Sequence, residues 1–184
     1  MNEKTDISTL SLTIMGLIWQ QQQSGYDIRK VFSTTPLGHF SNSPGAIYPA
    51  LKRLEKVGWI RGKVEGKQSL RPRVVYEMTR QGRDVLKRYL RQAVTRDDVV
   101  WRMDDLMLRF AVMGQIVGRA ATLRFLRSFA AEIEAYVREL RCYLDGAREG
   151  MPICGRLAME SGIEGYEMHA AWARRAIKEL EADT

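Results

Sequence analysis

A mainly α-helical fold with one small β-wing is what the sequence predicts, on three observations. Apolar residues recur at three- and four-residue spacing over most of the chain, the period of a helix with one buried face. Strand composition is confined to two short runs, Trp59-Ile60-Arg61 and Val74-Val75-Tyr76-Glu77-Met78, separated by a stretch rich in Gly, Lys and Arg. Charge is divided unevenly: residues 1–92 carry 16 Lys+Arg against 7 Asp+Glu, and residues 93–184 carry 13 against 15, so +9 and −2 make up the total of +7. That split predicts two domains, 1–92 and 93–184, with the basic one facing a polyanion.

Thr9 to Gln20 is apolar nearly all round, as in a buried helix, and the short Gln20–Gln23 run ends it near Gly25. Ser24 to Phe32 is a second, brief helix with Ile28, Val31 and Phe32 on one side. Ser24 stands at its cap position, and Asp27 is well placed for the positive end of the helix dipole. A polar loop from Ser33 to Asn42 follows. Ser43 then caps a third helix with Pro44 in its first position, where the missing N–H costs nothing.

That third helix is the most informative part of the chain. Ile47, Leu51 and Leu54 share one face and turn inward, so Gly45, Tyr48, Lys52, Arg53 and Lys56 turn outward. A small residue, an aromatic hydroxyl and three cations suit close approach to phosphates and base edges. Gly58 supplies the stop, and Pro49 in the interior predicts a kink or an irregular first turn. The two strands with their basic tip form the wing, and Thr79 caps a fourth helix through Val85, Leu86, Tyr89 and Leu90. Three helices, a wing and a helix are the order of a winged helix-turn-helix domain.

The second half reads as helical throughout. Met103 to Val117 is apolar but interrupted by Arg109 and Gln115, and Asp97, Asp98, Asp104 and Asp105 read as ordinary helix-surface charge. Leu126, Phe129, Ile133, Tyr136 and Leu140 trace one long amphipathic helix. After a break containing Pro152, Tyr166, His169, Ala173, Ile177 and Leu180 trace another. Seams of this length seek a partner helix, and the expectation is a homodimer interface in preference to packing within one chain.

Enzyme chemistry finds no support. The chain shows no phosphate loop, nucleophile elbow or metal-ligand cluster, and Cys142 and Cys154 form no CxxC, so neither metal nor cofactor is expected. Cysteine usage, the absence of a signal-like start and the lack of a long uncharged apolar run predict a soluble cytoplasmic protein.

The segment Ser24-Gly25-Tyr26-Asp27, the string Gly45-Ala46-Ile47-Tyr48-Pro49-Ala50-Leu51-Lys52-Arg53-Leu54-Glu55, the run Gly58-Trp59-Ile60 and the closing Arg73 to Gly82 together resemble the PadR family of bacterial transcriptional regulators. The resemblance spans about residues 10 to 90. It implies that Pro49 is a family feature, that the C-terminal helices embrace a second subunit, and that the dimer represses transcription until a small molecule releases it. Phenolic acids are the ligands of the founding member's class. Arg71-Pro72-Arg73 departs mildly from the expected basic wing.

The expected DNA-binding set is therefore Ser43, Gly45, Tyr48, Pro49, Lys52, Arg53 and Lys56 of the third helix with Lys63, Lys67, Arg71 and Arg73 of the wing. Tyr48 lies off the buried face, which favours DNA over the core, whereas Tyr76 is assigned to the core. Trp101, Met103, Met107 and Phe110 stand where the first domain gives way to the second, and a small aromatic or hydrophobic effector is expected there. The competing reading is a winged-helix protein-interaction module without sequence-specific DNA binding, since a fold does not fix a function.

Overall fold

The computed structural model describes residues 7–39, 44–65 and 73–183. The chain divides into two compact units, Met1–Leu90 and Arg91–Thr184.

In the first unit, helix α1 (Thr9–Gln20) begins where the Ser8 hydroxyl accepts the Ser11 N–H at 3.3 Å. It leads into a two-residue strand β1 (Gln23–Ser24) and helix α2 (Gly25–Thr34). Ser24 and Asp27 form a reciprocal capping box: the Ser24 hydroxyl accepts the Asp27 N–H at 3.2 Å, and an Asp27 carboxylate oxygen accepts the Ser24 N–H at 3.1 Å. The hydroxyl and amide of Ser24 hold the Asp27 carboxyl below its ordinary value. The stretch expected to be a loop is structured at its start, because α2 runs on to Thr34 and a 3-10 turn covers Pro36–His39.

Helix α3 (Pro44–Lys56) is continuous through Pro49. The bond that proline removes would have gone to the carbonyl of Gly45, an exposed residue in the first turn of the helix, where solvent can reach it. Gly58, with φ +75°, ends the helix: its N–H donates to the Glu55 carbonyl and the Trp59 N–H to the Leu54 carbonyl, both at 2.9 Å. This paired closure needs the left-handed conformation that only glycine adopts cheaply.

Strands β2 (Ile60–Glu65) and β3 (Arg73–Met78) form the wing, and the sheet has the order β1-β3-β2, antiparallel throughout. Ile60 pairs with Met78 and Glu65 with Arg73, while Gln23 pairs with Tyr76 on the other edge of β3. The third strand was not expected. Helix α4 (Arg80–Leu90) starts at Thr79, whose hydroxyl donates to the Gly58 carbonyl at 2.6 Å and accepts the Gly82 N–H at 3.0 Å. Ile14, Met15, Ile28, Ile47, Leu51, Leu86 and Leu90, each at most 1% exposed, fill the core of the unit.

The second unit holds α5 (Arg96–Trp101), α6 (Met103–Val117), α7 (Arg119–Ala147) and α8 (Ile153–Ala182). Asp98 corrects the surface-charge expectation: it is 4% exposed and closes a capping box with Thr95, whose hydroxyl donates to it at 2.7 Å. Arg109 is also buried, donating to the Gln92 carbonyl at 2.6 Å with its guanidinium 5.0 Å from the centre of the Phe125 ring.

In the long seams, Leu126, Phe129, Ile133 and Ala173 are fully buried within one chain, where α7 packs along α8. Small Ala170 and Ala173 let the two helices approach, and the Trp172 and His169 rings meet the Phe129 ring edge-on. Of the expected interface residues, Tyr136, Leu140, Tyr166, His169, Ile177 and Leu180 stay partly exposed.

Candidate nucleic-acid interface

Helix α3 separates its two faces cleanly. Ile47, Ala50, Leu51 and Leu54 are at most 2% exposed, whereas Gly45, Tyr48, Pro49, Lys52, Arg53 and Lys56 are exposed. Among the described residues, Lys52, Arg53 and Lys56 have no carboxylate partner, so their charge is free to meet phosphate. Tyr48 is 43% exposed, and one edge of its ring closes on Gly25: a Cβ on Gly25 would lie 2.8 Å from Tyr48 Cε1. The glycine at the start of α2 thus gives the ring its seat.

On the wing, Lys63 and Arg73 are exposed and paired. Lys63 Nζ lies 2.9 Å from Glu77 and Arg73 3.2 Å from Glu65. Arg61 also reaches Glu77, its Nε donating at 3.0 Å, and with Lys63 it holds the Glu77 carboxyl below the usual range. The Lys63 and Arg73 side chains keep 54% and 63% of their surface, so a phosphate can approach both from solvent. Ser43, Lys67 and Arg71 of the expected set lie outside the described residues.

Tyr76 corrects the core assignment. The buried residues of β3 are Val75 and Met78, and Tyr76 is only half-buried. Partial burial, followed by the nearby Glu55 and Tyr48, pushes its hydroxyl above the ordinary value.

The four expected effector residues occupy different settings in the second unit. Trp101 is 80% exposed at the end of α5, Met103 and Met107 are half-buried, and Phe110 meets the Trp172 ring edge-on at 5.0 Å. Trp172 was not among the expected four, and its aromatic neighbours on α6 and α7 carry no signal in sequence spacing. His169 packs against Phe129, and no group of three His, Cys, Asp or Glu among the described residues could hold a metal ion. No described helix is long and apolar enough to cross a membrane.

Comparison with known proteins sets a likeness beside this geometry. Residues 14–88 match the Transcriptional regulator PadR-like family. Among solved structures, the chain is similar to the PadR-like transcriptional regulator BC1756 from Bacillus cereus, with 28% identity and a TM-score of 0.42 over 96% of this chain and 100% of that one. It is similar to Bacillus subtilis PadR in complex with operator DNA, with 20% identity and a TM-score of 0.45 over 95% and 99% of the two chains. The same Bacillus subtilis protein in complex with p-coumaric acid matches with 17% identity and a TM-score of 0.40 over 97% and 100%. No curated protein sequence matches significantly.

Proposed function

Starting from a chain that carries a PadR-like transcriptional regulator domain at residues 14–88, we propose that it is a cytoplasmic, homodimeric repressor that binds operator DNA through α3 and the wing. The observation that carries this reading is the outward face of α3, where three exposed cations, without carboxylate partners among the described residues, follow the seated Tyr48 ring. Such a face joins the two components of DNA recognition: cations for the phosphates and a hydrogen-bonding aromatic for base edges. Lys63 and Arg73 add phosphate contacts, and Ser43, Lys67 and Arg71 complete the set.

A second copy of the chain is supported by apolar side chains that one chain leaves open. Ile153, Leu157 and Met168 on α8 and Tyr143 on α7 are 52–64% exposed. With both α3 helices held about one DNA turn (~34 Å) apart, the dimer reads two half-sites. An aromatic or hydrophobic effector that binds the second unit at Phe110, Met107, Met103 and Trp101 releases the operator by favouring a different spacing.

Fluorescence anisotropy with a duplex from the promoter of its own gene tests the reading. Saturable binding that weakens steeply with salt and falls on addition of p-coumaric acid is the expected result. Equal affinity for unrelated DNA at every salt concentration removes the operator assignment, and an unchanged affinity removes that effector.

A further inference from the structure

The last residue of the Tyr-Pro-x-Leu-x-x-Leu-Glu string, Glu55, is spare in the interface above: an acidic side chain on the helix that meets DNA repels phosphate. Its carboxylate is nevertheless occupied. Glu55 Oε1 accepts the backbone N–H of Gly62 at 2.9 Å, which ties the last turn of α3 to the middle of β2. Strand β2 lies at the edge of the sheet, and Gly62 pairs with Tyr76 of β3. An N–H that donates to Glu55 points away from β3, so the carboxylate covers an edge group that would otherwise be left to solvent. Gly62 is fitted to this approach, because a Cβ there would lie 2.8 Å from Glu55 Oε1 and 2.8 Å from Val74 Cγ1.

We infer that Glu55 is a positioning residue for DNA binding, a clasp that fixes the wing strand to the recognition helix so that both sets of cations meet the duplex in one register. Gly62 sits between Arg61 and Lys63, while Glu55 follows Lys52 and Arg53 on α3. That hydrogen bond, acting beyond the Gly58 and Trp59 turn bonds to Glu55 and Leu54, therefore helps to set the distance between the helix cations and the wing cations. Without it, β2 remains paired with β3 and joined to α3 through the Gly58 turn, but its outer part is held less firmly against α3, and the wing contacts must be ordered anew at each binding event.

The inference rests on the DNA-binding reading, and charge supplies the test. If Glu55 were only a negative charge near phosphate, Glu55→Gln and Glu55→Ala would both tighten binding. If it is a clasp, Glu55→Gln keeps an acceptor oxygen and at least wild-type affinity. Glu55→Ala then weakens binding about fivefold or more and flattens the salt dependence by about one phosphate contact. Gly62→Ala, which pushes the carboxylate aside, should behave like Glu55→Ala.

Anisotropy titrations of the full-length variants against the promoter duplex are read beside amide hydrogen exchange at residue 62 and thermal melting. Exchange should be slow in wild type and Glu55→Gln and faster in Glu55→Ala, at unchanged melting temperature. Glu55→Ala binding as tightly as wild type overturns the positioning role, as does a drop in melting temperature large enough to account for the lost affinity. Failure of the wild type to bind DNA, with exchange at residue 62 still governed by Glu55, overturns both the role and the DNA-binding reading. Failure of the clasp alone shows as unaltered exchange in Glu55→Ala with normal DNA binding.

Discussion

Replacing Gly82 by alanine puts a methyl group where the backbone of another element already stands. The new Cβ would lie 1.9 Å from the Trp59 carbonyl oxygen, 2.7 Å from its carbon and 2.9 Å from its Cα. No rotamer relieves this, because the clash is with main chain, so α4 must move away by about 1.1 Å to bring the closest contact to even 3.0 Å. The Thr79 N–H bond to the Trp59 carbonyl at 3.1 Å and the Thr79 hydroxyl bond to the Gly58 carbonyl at 2.6 Å both span that gap and are stretched beyond hydrogen-bonding range. Two lost bonds at about 1 kcal/mol each and a weakened cap at about 1 kcal/mol sum to about 3 kcal/mol. Alanine returns about 1 kcal/mol in helix propensity, leaving a net loss of about 2 kcal/mol. For a unit of this size that lowers the melting temperature by about 8–16 °C. Gly114→Ala is the control, since it is helical, exposed and has nothing within 4 Å of the new Cβ; it should stabilise α6 by about 0.5–1 kcal/mol. Thermal and urea unfolding followed by circular dichroism compare the two. A Gly82→Ala protein as stable as Gly114→Ala refutes the steric argument.

On α3, Lys52→Ala with Arg53→Ala should weaken operator binding by about 1–3 kcal/mol and reduce the salt slope, with an unchanged melting curve because both side chains are exposed. Phe129→Ala should cost the second unit about 3–5 kcal/mol, since the ring is fully buried among Phe125, His169 and Trp172; a loss below about 1 kcal/mol in a denaturant titration refutes its place in the core. Trp101→Ala, at an 80% exposed position, should leave stability within about 0.5 kcal/mol and, on the effector reading proposed above, lower the affinity for an aromatic ligand measured by calorimetry; unaltered affinity moves the effector site elsewhere. The Asp27 carboxyl titrates lower in the folded protein than in the unfolded chain, so its stabilisation is full above about pH 4 and disappears as pH falls through the folded value. Asp27→Ala should therefore lower the melting temperature at pH 7 and converge with wild type in acid.

The inward and outward faces of α3 were legible in the sequence because a 3.6-residue period needs no knowledge of the partner. Ile47, Leu51 and Leu54 sort from Lys52, Arg53 and Lys56 by spacing alone. Strand β1 was not legible: two residues, Gln23 and Ser24, have no strand propensity and pair only because β3 is brought beside them. Period also says that a face is buried without saying against what. The α7 and α8 seams accordingly marked Leu126, Phe129, Ile133 and Ala173 as buried, while only the structure shows that α7 and α8 of one chain already cover them. The signal for Asp98 was present, since Thr95-x-x-Asp98 is a capping-box spacing, yet its neighbouring arginines made it read as surface charge. The Glu55 to Gly62 bond had no signal at all, because a seven-residue separation across a turn is no recurring motif.

Because β3 is held by β1 on one side and β2 on the other, the wing has a root that does not depend on its tip. The Gln23 to Tyr76 and Ile60 to Met78 pairs hold the register of β3 from both of its edges at once. A lineage, or a designer, can therefore vary the exposed residues of β2 and β3 without renegotiating the fold that carries them.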